Sequence, residues 1–162
     1  MASGKSILSN RLDSQGEEWA LLQERIREVG VQELSLFSGM NDEEIDACLA
    51  KSVRIDCHKG DALIKKGNPA KNLYAVIREN LEVKSGDEVV AVRSAGDVIG
   101  EIAFFLTLPR TMDVVAATDD VEVVSFSASA LQKLIRTQPE AATKLLFNIS
   151  KLLCVKVVGT GH

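Results

Sequence analysis

Glu101 and Arg110 stand at the two ends of a short segment bounded by glycine and proline, within the stretch AGDVIGEIAFFLTLPRTMDVVAATDDVEVVSF at residues 95–126. Arg110 can give phosphate a bidentate, charge-assisted pair of hydrogen bonds, whereas the Glu101 carboxylate only accepts and needs a donor such as a sugar hydroxyl. Gly100 relieves the backbone before Glu101, residues 101 to 107 have room for one or two helical turns, and Pro109 fixes φ just before Arg110. A helix start adds unpaired N–H groups that favour an anion. A glutamate and an arginine this far apart are more often solvated charges or an internal salt bridge. What favours a site is agreement among glycine, small Ala103, apolar Ile102, Phe104 and Phe105, and the Pro109-Arg110 entry into a strand. Spacing and chemistry alone license an anion site.

Other chemistries find less support. Cys48, Cys57 and Cys154 are odd in number and widely spaced, a pattern of reduced thiols serving as small packing residues. His58 and His162 cannot furnish a histidine-rich metal centre, and Cys57 and His58 point to opposite faces of a strand, so neither a metal site nor a nucleophile pair is expected. Catalysis is not expected. A net charge of −4 argues against a broad nucleic-acid footprint. No apolar run approaches the roughly 20 residues needed to span a bilayer, and no secretory h-region opens the chain, so the expected compartment is the cytoplasm.

The elements that must hold this segment follow from periodicity. Across 162 residues, 46% hydrophobic and 26% charged, one domain is expected. Residues 1–15 read as a flexible lead-in and 16–52 as a helical segment. In the latter, Trp19, Leu22, Ile26 and Val29 recur at helical steps before Gly30. A second helix starts at Asn41, with Glu44 at the capping-box position, Met40 placed to staple against Ile45, and Phe37, Ile45 and Leu49 facing inward.

Residues 53–126 alternate as eight short strands, VRIDCH, DALIKKG, NLYAVI, LEVKS, DEVVAVR, DVIG, DVVAAT and VEVVSF. This predicts a mainly β fold with flanking helices, an eight-stranded jelly-roll barrel. Hairpin turns are expected at Ser85-Gly86-Asp87 and at Gly60-Asp61. Residues 127–162 form a C-terminal helix pair, Ser127 capping the first and Pro139 opening the second. On the second, Leu145, Leu146, Ile149, Leu152, Leu153 and Val157 make a stripe wide enough for two partners, the barrel and a second copy of the chain, or for the barrel alone.

Gly100, Glu101, Ala103, Pro109, Arg110 and Thr111 together resemble the phosphate-binding cassette of the cyclic-nucleotide-binding domain family, and the likeness extends from about Leu36 to Leu153 through Gly60, Gly67, Tyr74, Gly96 and the Leu131–Pro139 region. The resemblance implies that Glu101 takes the ribose 2'-hydroxyl and Arg110 the cyclic phosphate. The implied ligand site is Ile99, Gly100, Glu101, Ile102, Ala103, Pro109, Arg110 and Thr111, and the ligand is cyclic AMP or cyclic GMP. A hydroxyl at Thr111 makes cyclic GMP admissible, through the 2-amino group of a syn guanine, while bacterial members with a hydroxyl there often turn it to phosphate, which leans the reading to cyclic AMP. No further cofactor is implied.

Asn80 stands where the family has glycine and is expected to keep a left-handed turn. Asp113 departs from the family's usual Thr or Ser: facing the phosphate it would oppose binding, facing solvent it would be harmless. The resemblance further implies a bacterial-type regulatory domain without a helix-turn-helix, hence no DNA binding, with a homodimer through the C-terminal helix and an effector protein of unknown identity. The alternative is a degenerate cradle that serves as a dimerisation or protein-interaction module.

Overall fold

The computed structural model describes residues 17, 20, 21, 24 and 35–159. Trp19, Leu22, Ile26 and Val29 of the expected first helix, and the lead-in at 1–15, lie outside the described residues.

From Ser35 onward the order is α1 (Asp42–Lys51), β1 (Val53–Cys57), β2 (Ala62–Ile64), β3 (Asn72–Arg78), β4 (Leu81–Ser85), β5 (Glu88–Arg93), β6 (Val98–Ile99), α2 (Glu101–Leu106), β7 (Asp113–Ala116), β8 (Val121–Ser127), α3 (Ala128–Thr137) and α4 (Pro139–Gly159). Local chemistry sets the helix starts. Asn41 Oδ1 accepts from Glu44 N at 2.9 Å while Glu44 Oε1 accepts from Asn41 N at 3.0 Å, a reciprocal box whose cap is worth about 1 kcal/mol. Ser127 Oγ accepts from Ala130 N at 3.1 Å, and Pro139 occupies the first position of α4, where a missing N–H costs nothing.

The strands make two antiparallel four-stranded sheets, β1-β8-β3-β6 and β2-β7-β4-β5. The expected barrel is therefore not closed by hydrogen bonds. Period-two alternation divides β3 and β8 between two cores. Leu73, Ala75, Ile77, Val124 and Phe126 face the helices, where Phe37, Ile45, Leu49, Leu131, Leu134, Leu145 and Ile149 meet them. Tyr74, Val76, Val121 and Val123, with Ile99 of the same sheet, face the second sheet, against Ile64, Leu81 and Val114. At roughly 1.5–3 kcal/mol for each large apolar side chain fully buried, these two cores supply the main driving force for the layering.

Two turn expectations are corrected. The pairing Ser85↔Glu88 makes Gly86-Asp87 a two-residue hairpin, as expected, but Gly60-Asp61 joins β1 and β2, which lie in different sheets, and is a corner. The left-handed residue before β4 is Glu79, with φ 65°, one residue ahead of Asn80. The Asn80 carbonyl already accepts from Ala117 N at 3.0 Å, so the reversal has to be completed before it. Cys48 and Cys57 are buried, and burial pushes their thiols up to about 12 and about 11; Cys154 is exposed on α4 and is not the packing residue expected.

Candidate functional site

The segment from Gly100 to Met112 crosses from β6 in one sheet to β7 in the other. Its entry is set by β6, where Ile99 pairs with Tyr74 and Val98 with Ala75. Gly100 then turns the chain with φ 77°, a conformation that costs other residues about 1–2 kcal/mol, and serves as N-cap of α2. Any Cβ there would lie 2.5 Å from Arg110 Nη1 and 3.0 Å from Ile64 Cδ1, so a side chain at this position would have to displace the guanidinium as well as adopt an unfavourable φ. The exit is clamped. Arg110 N donates to Asn68 O at 2.9 Å, Gly67 N donates to Arg110 O at 2.8 Å, and Pro69 and Pro109 face each other across this bridge.

Arg110 is 6% exposed. Nη1 donates to Gly100 O at 2.6 Å, Nη2 donates to Asn72 O, and the guanidinium carbon lies 5.9 Å from the centre of the Tyr74 ring. Two backbone carbonyls, one from the start of the cradle and one from the start of β3, thus orient the planar fork. Burial lowers the arginine's pKa from its usual value, with Tyr74 and Glu101 acting in the opposite direction. Glu101, 2% exposed, is held by Lys156 Nζ at 2.6 Å from Oε1; the same ammonium donates to Val98 O at 2.7 Å. Lys156 comes from the last turns of α4, and its own pKa is lowered by burial against the opposing pull of Glu101.

These groups border a cavity of about 230 Å³ lined by Ile99, Gly100, Glu101, Ile102, Ala103, Arg110 and Thr111. Pro109 is outside the lining and acts through the bridge to Pro69. The remaining walls are Ile64, Val83, Arg93, Met112, Val114 and Lys156, none of which was among the site residues expected from the sequence. Three cations and one carboxylate therefore line the cavity of an acidic chain. Its apolar walls and few convergent polar groups describe a small-ligand site, and its charge favours an anion. Asp113 does not enter: its Oδ1 accepts from Lys66 N at 2.8 Å, on the outer side of the strand, which decides between the two orientations that the sequence left open.

Lys156 carried a signal that was readable. Leu145, Ile149, Leu152 and Lys156 follow one another at steps of four, three and four, which puts a lone cation on the inward stripe of α4. The structure places Lys156 against the cavity and leaves Val157 exposed, whereas Leu145, Ile149 and Leu152 are buried and Leu146 and Leu153 half-buried against the chain's own core.

Fold and cavity together describe a two-sheet β-sandwich with a cationic, apolar-walled cavity of small-ligand size beside the β6–β7 crossing. Residues 54–138 match the model of the cyclic nucleotide-binding domain, and the chain belongs to that family. It is similar to the cAMP-dependent protein kinase regulatory subunit of Debaryomyces hansenii, 35% identical over 79 residues, which is 48% of this chain and 17% of that protein. The chain thus spans less than a fifth of that relative's length. Among solved structures it is similar in fold to a cyclic nucleotide-binding domain from Methylobacillus flagellatus, with TM-score 0.73, 22% identity, and 85% of this chain and 79% of that one covered. A second likeness is to the N-terminal domain of a transcriptional regulator from Streptomyces coelicolor, with TM-score 0.61, 28% identity, and 77% and 90% covered. No helix among the described residues is long and apolar enough to cross a membrane.

Proposed function

We propose that this domain is a regulatory sensor that binds one cyclic mononucleotide in the cavity between Glu101 and Arg110 and performs no chemistry on it. The observation that carries this reading is the Arg110 fork, oriented by the carbonyls of Gly100 and Asn72 and bordering the same cavity as the buried Glu101 carboxylate. An anion and a hydroxyl donor in one small ligand satisfy both. Arg110 takes the cyclic phosphate and Glu101 accepts from the ribose 2'-hydroxyl. Ile64, Val83, Ile99 and Val114 give the rest of the ligand an apolar wall.

The preferred ligand is cyclic AMP over cyclic GMP. Thr111 borders the cavity and is available to either, and the similarity to regulatory subunits of cAMP-dependent kinases tips the balance. Output passes through α4, which meets the cradle at Lys156, and its size is limited by the ligand's differential affinity for the two helix arrangements. The apolar side chains Phe147, Val155 and Val157 on the exposed side of α4 are where a homodimer or an effector protein would attach.

Thermal unfolding with and without nucleotide tests the reading. Ligand at a hundred times its dissociation constant adds about 2.7 kcal/mol, which raises the melting temperature of a chain this size by about 5–10 °C. Unchanged melting with both cyclic AMP and cyclic GMP supports instead a degenerate cradle that acts as an interaction module.

A further inference from the structure

We infer that Lys156 is a tethered competitor of the ligand: its ammonium holds the ribose-binding carboxylate of Glu101, and a nucleotide that takes Glu101 releases the end of α4. The inference rests on the nucleotide reading above and names the residue through which binding would reach the helix.

The geometry is specific. Lys156 Nζ bonds Glu101 Oε1 at 2.6 Å and Val98 O at 2.7 Å, so a single side chain of α4 grips the strand before the cradle and the first helical residue of the cradle together. The pair is shielded from water, Glu101 being 3% and Lys156 17% exposed at the side chain. A shielded ion pair of this length is weakened little by salt. It also answers a physical need, because a carboxylate this deeply buried requires a partner.

A ribose hydroxyl supplies a donor to the same carboxylate but without the ammonium's charge and without any attachment to α4. The two donors therefore contend for Glu101. The grip falls on the last turns of α4, where Leu153 and Lys156 are half-buried and Cys154, Val155 and Val157 are exposed. Arg93 and Asp97 also face Lys156, one opposing and one favouring its charge, and they leave Glu101 as its only partner by ion pair among the described residues.

The test uses Lys156→Met, which keeps the length and apolar stem of the side chain and loses the ammonium. Nucleotide affinity is measured by calorimetry, and backbone hydrogen exchange over residues 150–158 is followed in the wild type and the variant, each with and without cyclic AMP. The tether predicts that K156M binds about tenfold more tightly, equivalent to about 1.4 kcal/mol. It predicts also that the end of α4 exchanges faster in ligand-free K156M, and faster in the wild type once nucleotide is bound. Unchanged or weakened binding by K156M overturns the competition, the weakened case making Lys156 a ligand contact.

Should neither protein bind nucleotide, the nucleotide reading fails, and exchange without ligand judges the tether alone: acceleration in K156M supports it, and identical exchange overturns it. Glu101→Gln breaks the same ion pair from the cradle side. Its ligand-free exchange at 150–158 must also accelerate, so the tether can be judged even if K156M does not fold.

Discussion

Replacing Arg110 separates its two duties, which the structure shows to be joined. Its guanidinium holds the carbonyls of Gly100 and Asn72 and also borders the cavity. Arg110→Ala removes both carbonyl bonds. Each is worth about 1 kcal/mol net once water reaches the vacated carbonyls, so the domain loses about 2 kcal/mol and melts about 4–8 °C lower while remaining folded. Ligand binding loses more. A bidentate charge-assisted pair to phosphate is worth about 3–4 kcal/mol in total, a weakening of between about a hundredfold and a thousandfold. Arg110→Lys retains the charge but reaches only one of the two carbonyls and presents no fork, so its affinity falls between those of wild type and R110A. Calorimetric titration with cyclic AMP, beside melting curves for all three proteins, reads both effects. R110A that melts lower yet binds with undiminished affinity would show Arg110 to be a purely structural clamp and would refute its role toward phosphate.

Three further outcomes are expected. Gly100→Ala places a Cβ 2.5 Å from Arg110 Nη1 at φ 77°, so it lowers the melting temperature and weakens nucleotide binding together; a melt and affinity equal to wild type would show that the turn tolerates a side chain. Thr111→Ala shifts the ratio of cyclic AMP to cyclic GMP affinity toward cyclic AMP, and an unchanged ratio in competition titrations removes Thr111 as a selector. Glu44, whose carboxyl is held below its ordinary 4.5 by the Asn41 N–H and then by Lys144, contributes stability above that value and loses it as pH falls through its lower folded value. Glu44→Gln therefore flattens the melting temperature's dependence on pH below about 4.5, and an acid limb parallel to wild type would contradict that contribution.

Much of this architecture was legible because two local rules act strongly here. Alternation in NLYAVI and VEVVSF divides each strand between the helix-facing and inter-sheet cores, the caps at Asn41 and Ser127 fix helix starts through bonds within three residues, and Pro139 does so through its fixed φ. The cradle was legible through Gly100, Glu101 and Arg110, because close packing, buried charge and a left-handed turn each restrict the residue type.

What escaped depends on long-range pairing. Whether Gly60-Asp61 makes a hairpin or a corner is decided by β8 and β7, which pair with β1 and β2 respectively. The shift of the left-handed residue from Asn80 to Glu79 is decided by Ala117, and the partners of Arg110 are main-chain carbonyls that no residue type reveals. Lys156 lies 55 residues from Glu101 along the chain. Its inward position was visible as the next step after Leu145, Ile149 and Leu152, but its partner was not.

The central claim is that Glu101 and Arg110 form a cyclic-nucleotide site, and it is tested most directly by titrating the wild type and R110A in parallel with cyclic AMP and cyclic GMP in a calorimeter. The account predicts saturable heat at one nucleotide per chain in the wild type, tighter for cyclic AMP, and loss of most of that affinity in R110A. Wild-type protein that is folded by its melting curve yet gives no saturable heat with either nucleotide would contradict it.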